Sequence, residues 1–189
     1  MERQAGDVRV IAGTARSLRL KTPEGMDTRP TTDRIKETLF NMLQPYLMDA
    51  VFIDLYSGSG GIGIEALSRG ARHAYFVEYN KNALACITEN LQFTRFTDRA
   101  TVLKQDVLSA LQGIHEKEAD VIFMDPPYNC GHERQVLQVL ADVPYVTENT
   151  LIVIEASLAT DFSYLEQMGF SLSKEKCYKT SKHIFCRKM

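Results

Sequence analysis

Short apolar runs bounded by turn residues alternate along most of this chain with longer stretches whose apolar positions recur every three or four residues. Segments 51–55, 73–78, 101–104, 120–124 and 151–155 read as strands, because they are short, nearly continuous in apolar residues and rich in Val, Ile and Phe. Between and after them, 61–69, 80–93, 107–111, 133–140 and 161–168 read as helices; in the second of these Leu84, Ile87 and Leu91 fall in register. Ahead of this series, 8–12 and 17–21 suggest a short hairpin. Segment 32–43 suggests a helix with Ile35, Leu39, Met42 and Leu43 on one face, capped by Thr31, Thr32 or Asp33 and ended by Pro45. A last hairpin is expected from 170–174 and 183–187. Apolar strands alternating with helices predict an α/β fold whose parallel sheet is covered on both faces. Such sheets collect ligands at the carboxyl ends of their strands.

The chain has 189 residues, 44% of them hydrophobic, which suits one well-buried domain over 1–189. Within it, 1–45 reads as a hairpin-and-helix extension and 50–189 as the core. The longest apolar stretches, such as 121–124 and 151–154, are far below bilayer-spanning length, and the start of the chain lacks the apolar core of a secretory signal. A cytoplasmic protein without membrane attachment is expected. Cys86, Cys130, Cys177 and Cys186 form no C-x-x-C pair, so free thiols are expected rather than disulfides or a metal site. Net charge is −2, yet both ends are basic: Arg9, Arg16, Arg19 and Lys21 lie near the start, and Lys174, Lys176, Lys179, Lys182, Arg187 and Lys188 near the finish. Joined in one patch, these cations would attract a polyanion.

Candidate chemistry sits where the strands end. Asp54 closes the first core strand, and Ser57, Gly58, Ser59, Gly60 and Gly63 follow in a loop that opens a helix. Glycines let the chain turn sharply and approach a ligand closely. Their spacing also satisfies G-x-G-x-x-G, so a dinucleotide fits the loop as well. Two further carboxylates favour S-adenosylmethionine: Asp54 can meet its ammonium group, and Glu78, ending the second strand, can hold both ribose hydroxyls. Asp106, just before Val107, is placed for the adenine amino group, although a helix cap is an equally simple role.

Asp125-Pro126-Pro127-Tyr128 directly follows the apolar strand 120–124. Two prolines stiffen this loop and cannot donate hydrogen bonds. An exocyclic amine needs acceptors, and the Asp125 carboxylate with the Pro126 carbonyl supplies two. Holding both N–H groups draws the nitrogen toward tetrahedral geometry and frees its lone pair for a methyl group. Asp125, or water, then takes the proton, while Tyr128 can stack on the base.

These motifs, in this order, resemble the class I (Rossmann-like) amino-methyltransferases. Arg9-Val-Ile-Ala-Gly13, then Arg29-Pro-Thr-Thr-Asp-Arg34 with Glu37, Leu39, Phe40 and Asn41, resemble the start of the RsmD family. The resemblance implies a doubly wound, mostly parallel seven-stranded sheet with an antiparallel C-terminal strand. It also implies methylation of a guanine N2 amine in 16S rRNA, of the guanine-966 type, with the 30S subunit as the wider context and no obligate protein partner. Arg9, Arg16, Arg29 and Arg34 would face RNA, and Thr32 would close over the cofactor. Where the family's terminal hairpin often has Tyr-Gly, this chain has Tyr178-Lys179-Thr180, which leaves Tyr178 without an assigned role. Adenine-N6 methylation of DNA suits the same amine chemistry, although that function generally calls for an added recognition domain. An Asn at position 125 would better suit a protein-glutamine methyltransferase. A non-catalytic RNA- or cofactor-binding module would be expected to have lost at least one of Asp54, Glu78, Asp125 and Tyr128.

Overall fold

A computed structural model describes residues 8–23, 32–128 and 130–189. The elements run β1 (Val8–Arg9), β2 (Arg19–Leu20), α1 (Asp33–Leu43), β3 (Val51–Leu55), α2 (Gly61–Ser68), β4 (His73–Val77) and α3 (Lys81–Thr94). They continue with β5 (Ala100–Leu103), α4 (Val107–Gln112), β6 (Val121–Met124), α5 (His132–Asp142), β7 (Leu151–Ser157), β8 (Phe170–Cys177) and β9 (Ser181–Lys188). Seven strands form one sheet in the order β5-β4-β3-β6-β7-β9-β8. β5, β4, β3, β6 and β7 pair in parallel, and β9 inserts antiparallel between β7 and β8. This is the expected α/β architecture, and the sheet order reverses between β3 and β6.

Alternate residues of each strand feed two cores. Phe52, Val121, Phe123, Val153 and Phe185 pack with Leu39, Phe40 and Leu43 of α1, Ile64 and Leu67 of α2, and Ile87 and Leu91 of α3. Ile53, Leu55, Ile122, Met124, Ile152 and Ile154 pack on the other face with Leu111 of α4 and Val136, Leu137 and Leu140 of α5. Burial on both faces is why β3 and β6 read as continuous apolar runs rather than alternating ones.

The N-terminal hairpin is two residues per strand, shorter than its pattern suggests. It is held by a buried carboxylate. Glu65 of α2 accepts from the backbone N–H groups of Ile11 (2.7 Å) and Ala12 (3.0 Å) and pairs with Arg69 at 2.8 Å and Lys36 of α1 at 3.5 Å. Ser68 and Asn90 add hydrogen bonds to Ala15 and Lys21. One acid therefore ties the hairpin, α1 and α2 together.

One helix needs correction. Segment 161–168 is not a helix: it holds turns and a single 3-10 turn, Glu166–Met168, before Gly169 in the left-handed region. Asp161 accepts hydrogen bonds from both the backbone N–H and the hydroxyl of Ser163, and this local bonding competes with helical hydrogen bonds. The first hairpin packs on α2 and α3, and the C-terminal cations lie on β8, on β9 and in the turn between them, at one edge of the sheet.

Candidate active site

β3 and β6 are neighbours, with Leu55 opposite Met124. The glycine loop and the Asp-Pro-Pro-Tyr loop therefore leave the sheet side by side, at its carboxyl edge and at the point where strand order reverses. The loop after β3 turns tightly: Gly60 N–H donates to Ser57 O at 2.7 Å, and Ser57 Oγ donates to Asp54 O at 2.6 Å. Gly58 and Gly60 both have left-handed φ, and a side chain built on Gly58 would meet only open space. Ser59 lies between them, its carbonyl accepting from Asn90. α2 then begins without a side-chain cap. Gly63, one turn into the helix, sits so close to the Phe76 ring that a Cβ there would lie 2.4 Å from it. That residue sets the helix tight against β4.

Three carboxylates lie along the ends of β3, β4 and β5. Asp54 is buried, its Oδ2 accepting from Gly63 N–H at 2.9 Å. Burial holds its carboxyl well above the ordinary range despite that hydrogen bond, with Asp125 and Glu78 adding to the rise. Glu78, 8% exposed, accepts from Gly58 N–H through Oε2 and from the Tyr79 and Asn80 N–H groups through Oε1, each at 2.9 Å. Asp106 is exposed and caps α4, accepting from Ser109 N–H at 3.0 Å, and its hydrogen bonds to Ser109 lower its pKa. Val107, the first residue of that helix, is buried.

Asp125 is partly buried, Pro126 buried, and Pro127 and Tyr128 exposed. Removal from water, reinforced by the Glu155 carboxylate, pushes the Asp125 carboxyl up to about 8. Tyr128 OH donates to Glu155 Oε1 at 3.3 Å. Glu155 Oε2 lies 3.1 Å from His183 Nε2, and His183 Nδ1 lies 3.1 Å from Tyr178 OH. The sequence pattern does not single out Glu155 or His183, and it gives Tyr178 no role. The available signal was an acid ending an apolar strand, the same pattern that marks Glu78.

Of the remaining candidates, Arg9, Thr32 and Arg34 meet at the start of α1. Thr32 is exposed and caps α1, its hydroxyl accepting from Ile35 N–H at 3.4 Å. Arg9 pairs with Asp33 at 2.7 Å, while Arg16 and Arg34 are exposed on the hairpin and α1. Arg29 lies outside the described residues. No group of three or more His, Cys, Asp or Glu suited to a metal ion occurs among the described residues, and no helix there is long and apolar enough to cross a membrane.

A doubly wound sheet with a glycine loop after its first core strand and an Asp-Pro-Pro-Tyr loop after its fourth defines a protein of the class I methyltransferase fold. The chain belongs to the RsmD family of ribosomal RNA small-subunit methyltransferases: the family model described as conserved hypothetical protein 95 matches residues 8–187. Ribosomal RNA small subunit methyltransferase D of Haemophilus influenzae is 36% identical over 173 residues, covering 90% of this chain and 89% of that protein. The Escherichia coli K12 protein of the same name is 33% identical over 172 residues, covering 91% and 85%. A solved Escherichia coli structure, provisionally named methyltransferase yhhF, superposes with a TM-score of 0.84 at 31% identity, covering 97% of this chain and 98% of that one. A Haemophilus influenzae structure, provisionally named a methylase, gives 0.80 at 31% identity, covering 97% and 99%.

Proposed function

We propose that the chain uses S-adenosylmethionine to methylate the exocyclic N2 amine of a guanine in 16S rRNA, of the guanine-966 type. The observation carrying this reading is the adjacency of two loops. Leu55 and Met124 are paired, so the backbone that would cradle a methyl donor and the Asp125–Pro126 acceptors rise from neighbouring strands.

The residues present fit the donor. Gly58 opens onto free space, and the acids at the ends of β3, β4 and β5 suit an ammonium, a ribose diol and an adenine amine in turn. Glu78 would exchange backbone partners for ribose hydroxyls, and Asp106 can serve an amino group while capping α4. Bound there, S-adenosylmethionine supplies an electrophilic methyl group. The chain itself supplies position and charge. The Asp125 carboxylate and the Pro126 carbonyl accept the amine's two N–H bonds, leaving the nitrogen lone pair free. Asp125 then stabilises the positive charge developing on nitrogen and accepts its proton, and Tyr128, 40% exposed, offers a ring face to the base.

The RNA assignment draws on the relatives named for ribosomal RNA and on the exposed Arg16 and Arg34. A guanine N2 lies on the pairing edge, so the target base has to be unpaired or flipped out. Such a substrate implies the cytoplasm, where 30S subunits assemble. Incubation with labelled donor and free 16S rRNA, 30S particles or DNA, followed by mapping of the methylated base, tests the reading. Label at a guanine N2 of 16S rRNA is expected; label on DNA alone would overturn the substrate.

A further inference from the structure

Three neighbouring strands present a row of ionisable groups of which the reaction described above uses only the first. Met124 pairs with Ile154 across β6 and β7, so Asp125 and Glu155 are the next residues on the two strands. Glu155 pairs in turn with His183 across β7 and β9. These positions continue the face of the sheet that carries Phe123, Val153 and Phe185.

From Glu155 onward the row is joined by hydrogen bonds. Glu155 is 6% exposed with both oxygens engaged, one by Tyr128 OH and one by His183 Nε2. His183 is fully buried, with Phe123 and Phe185 edge-on to its ring at 6.2 and 6.4 Å and Tyr178 OH on its other nitrogen. Fixed at both nitrogens and boxed by aromatic rings, the imidazole cannot rotate without breaking a hydrogen bond. Stability alone does not call for this arrangement, because well-packed apolar side chains usually hold strands together at least as well as buried charged groups. The network ends on the tyrosine of the Asp-Pro-Pro-Tyr loop and beside its aspartate.

We propose that Glu155, oriented by His183 and Tyr178, is a positioning residue for methyl transfer: it fixes Tyr128 against the target base and forms with Asp125 the carboxyl pair that receives the amine's proton. The proposal rests on the amino-methylation reading. As the nitrogen pair forms the N–C bond and the C–S pair stays on sulfur, one N–H proton passes to an Asp125 oxygen. The carboxyl pair goes from two negative charges to one, and the positive charge that leaves sulfur is matched by the proton gained. Asp54, Tyr128 and Tyr178 also face this pair, from β3, the Asp-Pro-Pro-Tyr loop and the β8–β9 turn, and Ser181 at the start of β9 meets Tyr128.

The test compares wild type, Glu155→Gln, Glu155→Asp and Asp125→Asn. In Glu155→Gln, kcat should fall roughly tenfold or more with KM and donor affinity little changed, and Glu155→Asp should restore part of it. An infrared titration of the protein without donor or RNA supplies a readout independent of turnover. The protonated-carboxyl band that Asp125→Asn removes should disappear at lower pH in Glu155→Gln, because a neighbouring negative charge is gone. An unshifted band, or an unchanged kcat, overturns the proposal. Should Glu155→Gln not fold, Tyr178→Phe takes its place: kcat falling at constant KM supports the relay, and unchanged kcat overturns it. If wild type methylates no nucleic acid while the band still shifts, the carboxyl pair stands and the methylation reading fails.

Discussion

The Glu78 carboxylate accepts a hydrogen bond from Gly58 N–H at 2.9 Å, so the acid ending β4 directly holds the glycine loop that follows β3. Its other oxygen takes the Tyr79 and Asn80 N–H groups at the entrance to α3. One side chain thereby fixes the spacing between two neighbouring strand ends, the gap a ribose would span. Replacing Glu78 with Ala should weaken S-adenosylmethionine binding by about 1–3 kcal/mol, the cost of losing a charge-assisted hydrogen bond. Calorimetric titration measures this directly, and an unchanged Kd would take Glu78 out of the site.

Asp125→Ala should abolish methyl transfer while donor binding persists, because Asp125 belongs to the acceptor loop rather than the glycine loop. Donor titration alongside single-turnover transfer separates the two effects. Lost binding with normal turnover per bound donor would contradict the assigned role.

Transfer should depend on pH in a defined direction. Asp125 must be ionised to take the amine's proton, and burial beside Glu155 pushes its carboxyl up to about 8. The kcat/KM should therefore climb as pH rises through that region, with an apparent midpoint belonging to the coupled pair. A profile already flat from about pH 6 upward would show that no raised carboxyl controls the chemistry.

Stability should move the opposite way in the donor-free protein. Asp54 and Asp125 have raised pKa values when folded, so the native state binds their protons more tightly than the unfolded chain does. Their stabilising contribution is complete below the unfolded carboxyl range and is lost as pH rises through the folded values. Asp54→Asn keeps an acceptor for Gly63 N–H but cannot ionise. Its melting temperature should decline less steeply with pH than that of wild type, and parallel curves would remove Asp54 as a source of the dependence.

Glu65→Ala should cost about 3–5 kcal/mol, the usual penalty for stripping one partner from a buried ion pair. Lys36 and Arg69, whose side chains are 3% and 7% exposed, would lose their counter-ion, and the Ile11 and Ala12 N–H groups their acceptor. Denaturant unfolding measures the loss. A change below about 1 kcal/mol would mean that the hairpin is held chiefly by its apolar contacts.

The strands and most helices were legible in the chain because burial on both faces leaves an unmistakable apolar run, and a helix packed on such a sheet repeats its apolar positions every three or four residues. Thr32 and Asp106 could be read as helix caps for an equally local reason. The reading failed at 161–168, where apolar spacing suggested a helix and the Asp161–Ser163 hydrogen bonds produced turns. It also could not see Glu155 and His183 as partners, since 28 residues separate them.

What the sequence determined by itself was local: the alternation of strands and helices, the glycine loop after β3, and the rigid Asp-Pro-Pro-Tyr turn after β6. Each depends on residues adjacent in the chain, whose backbone preferences and periodicity act within a few positions. What only the tertiary structure decided was which strand ends stand together. Insertion of β9 between β7 and β8 carries His183 to Glu155, and the pairing of β3 with β6 carries the glycine loop to Asp125. Those neighbours are set by long-range packing of two buried sheet faces, and no local pattern in the chain encodes them.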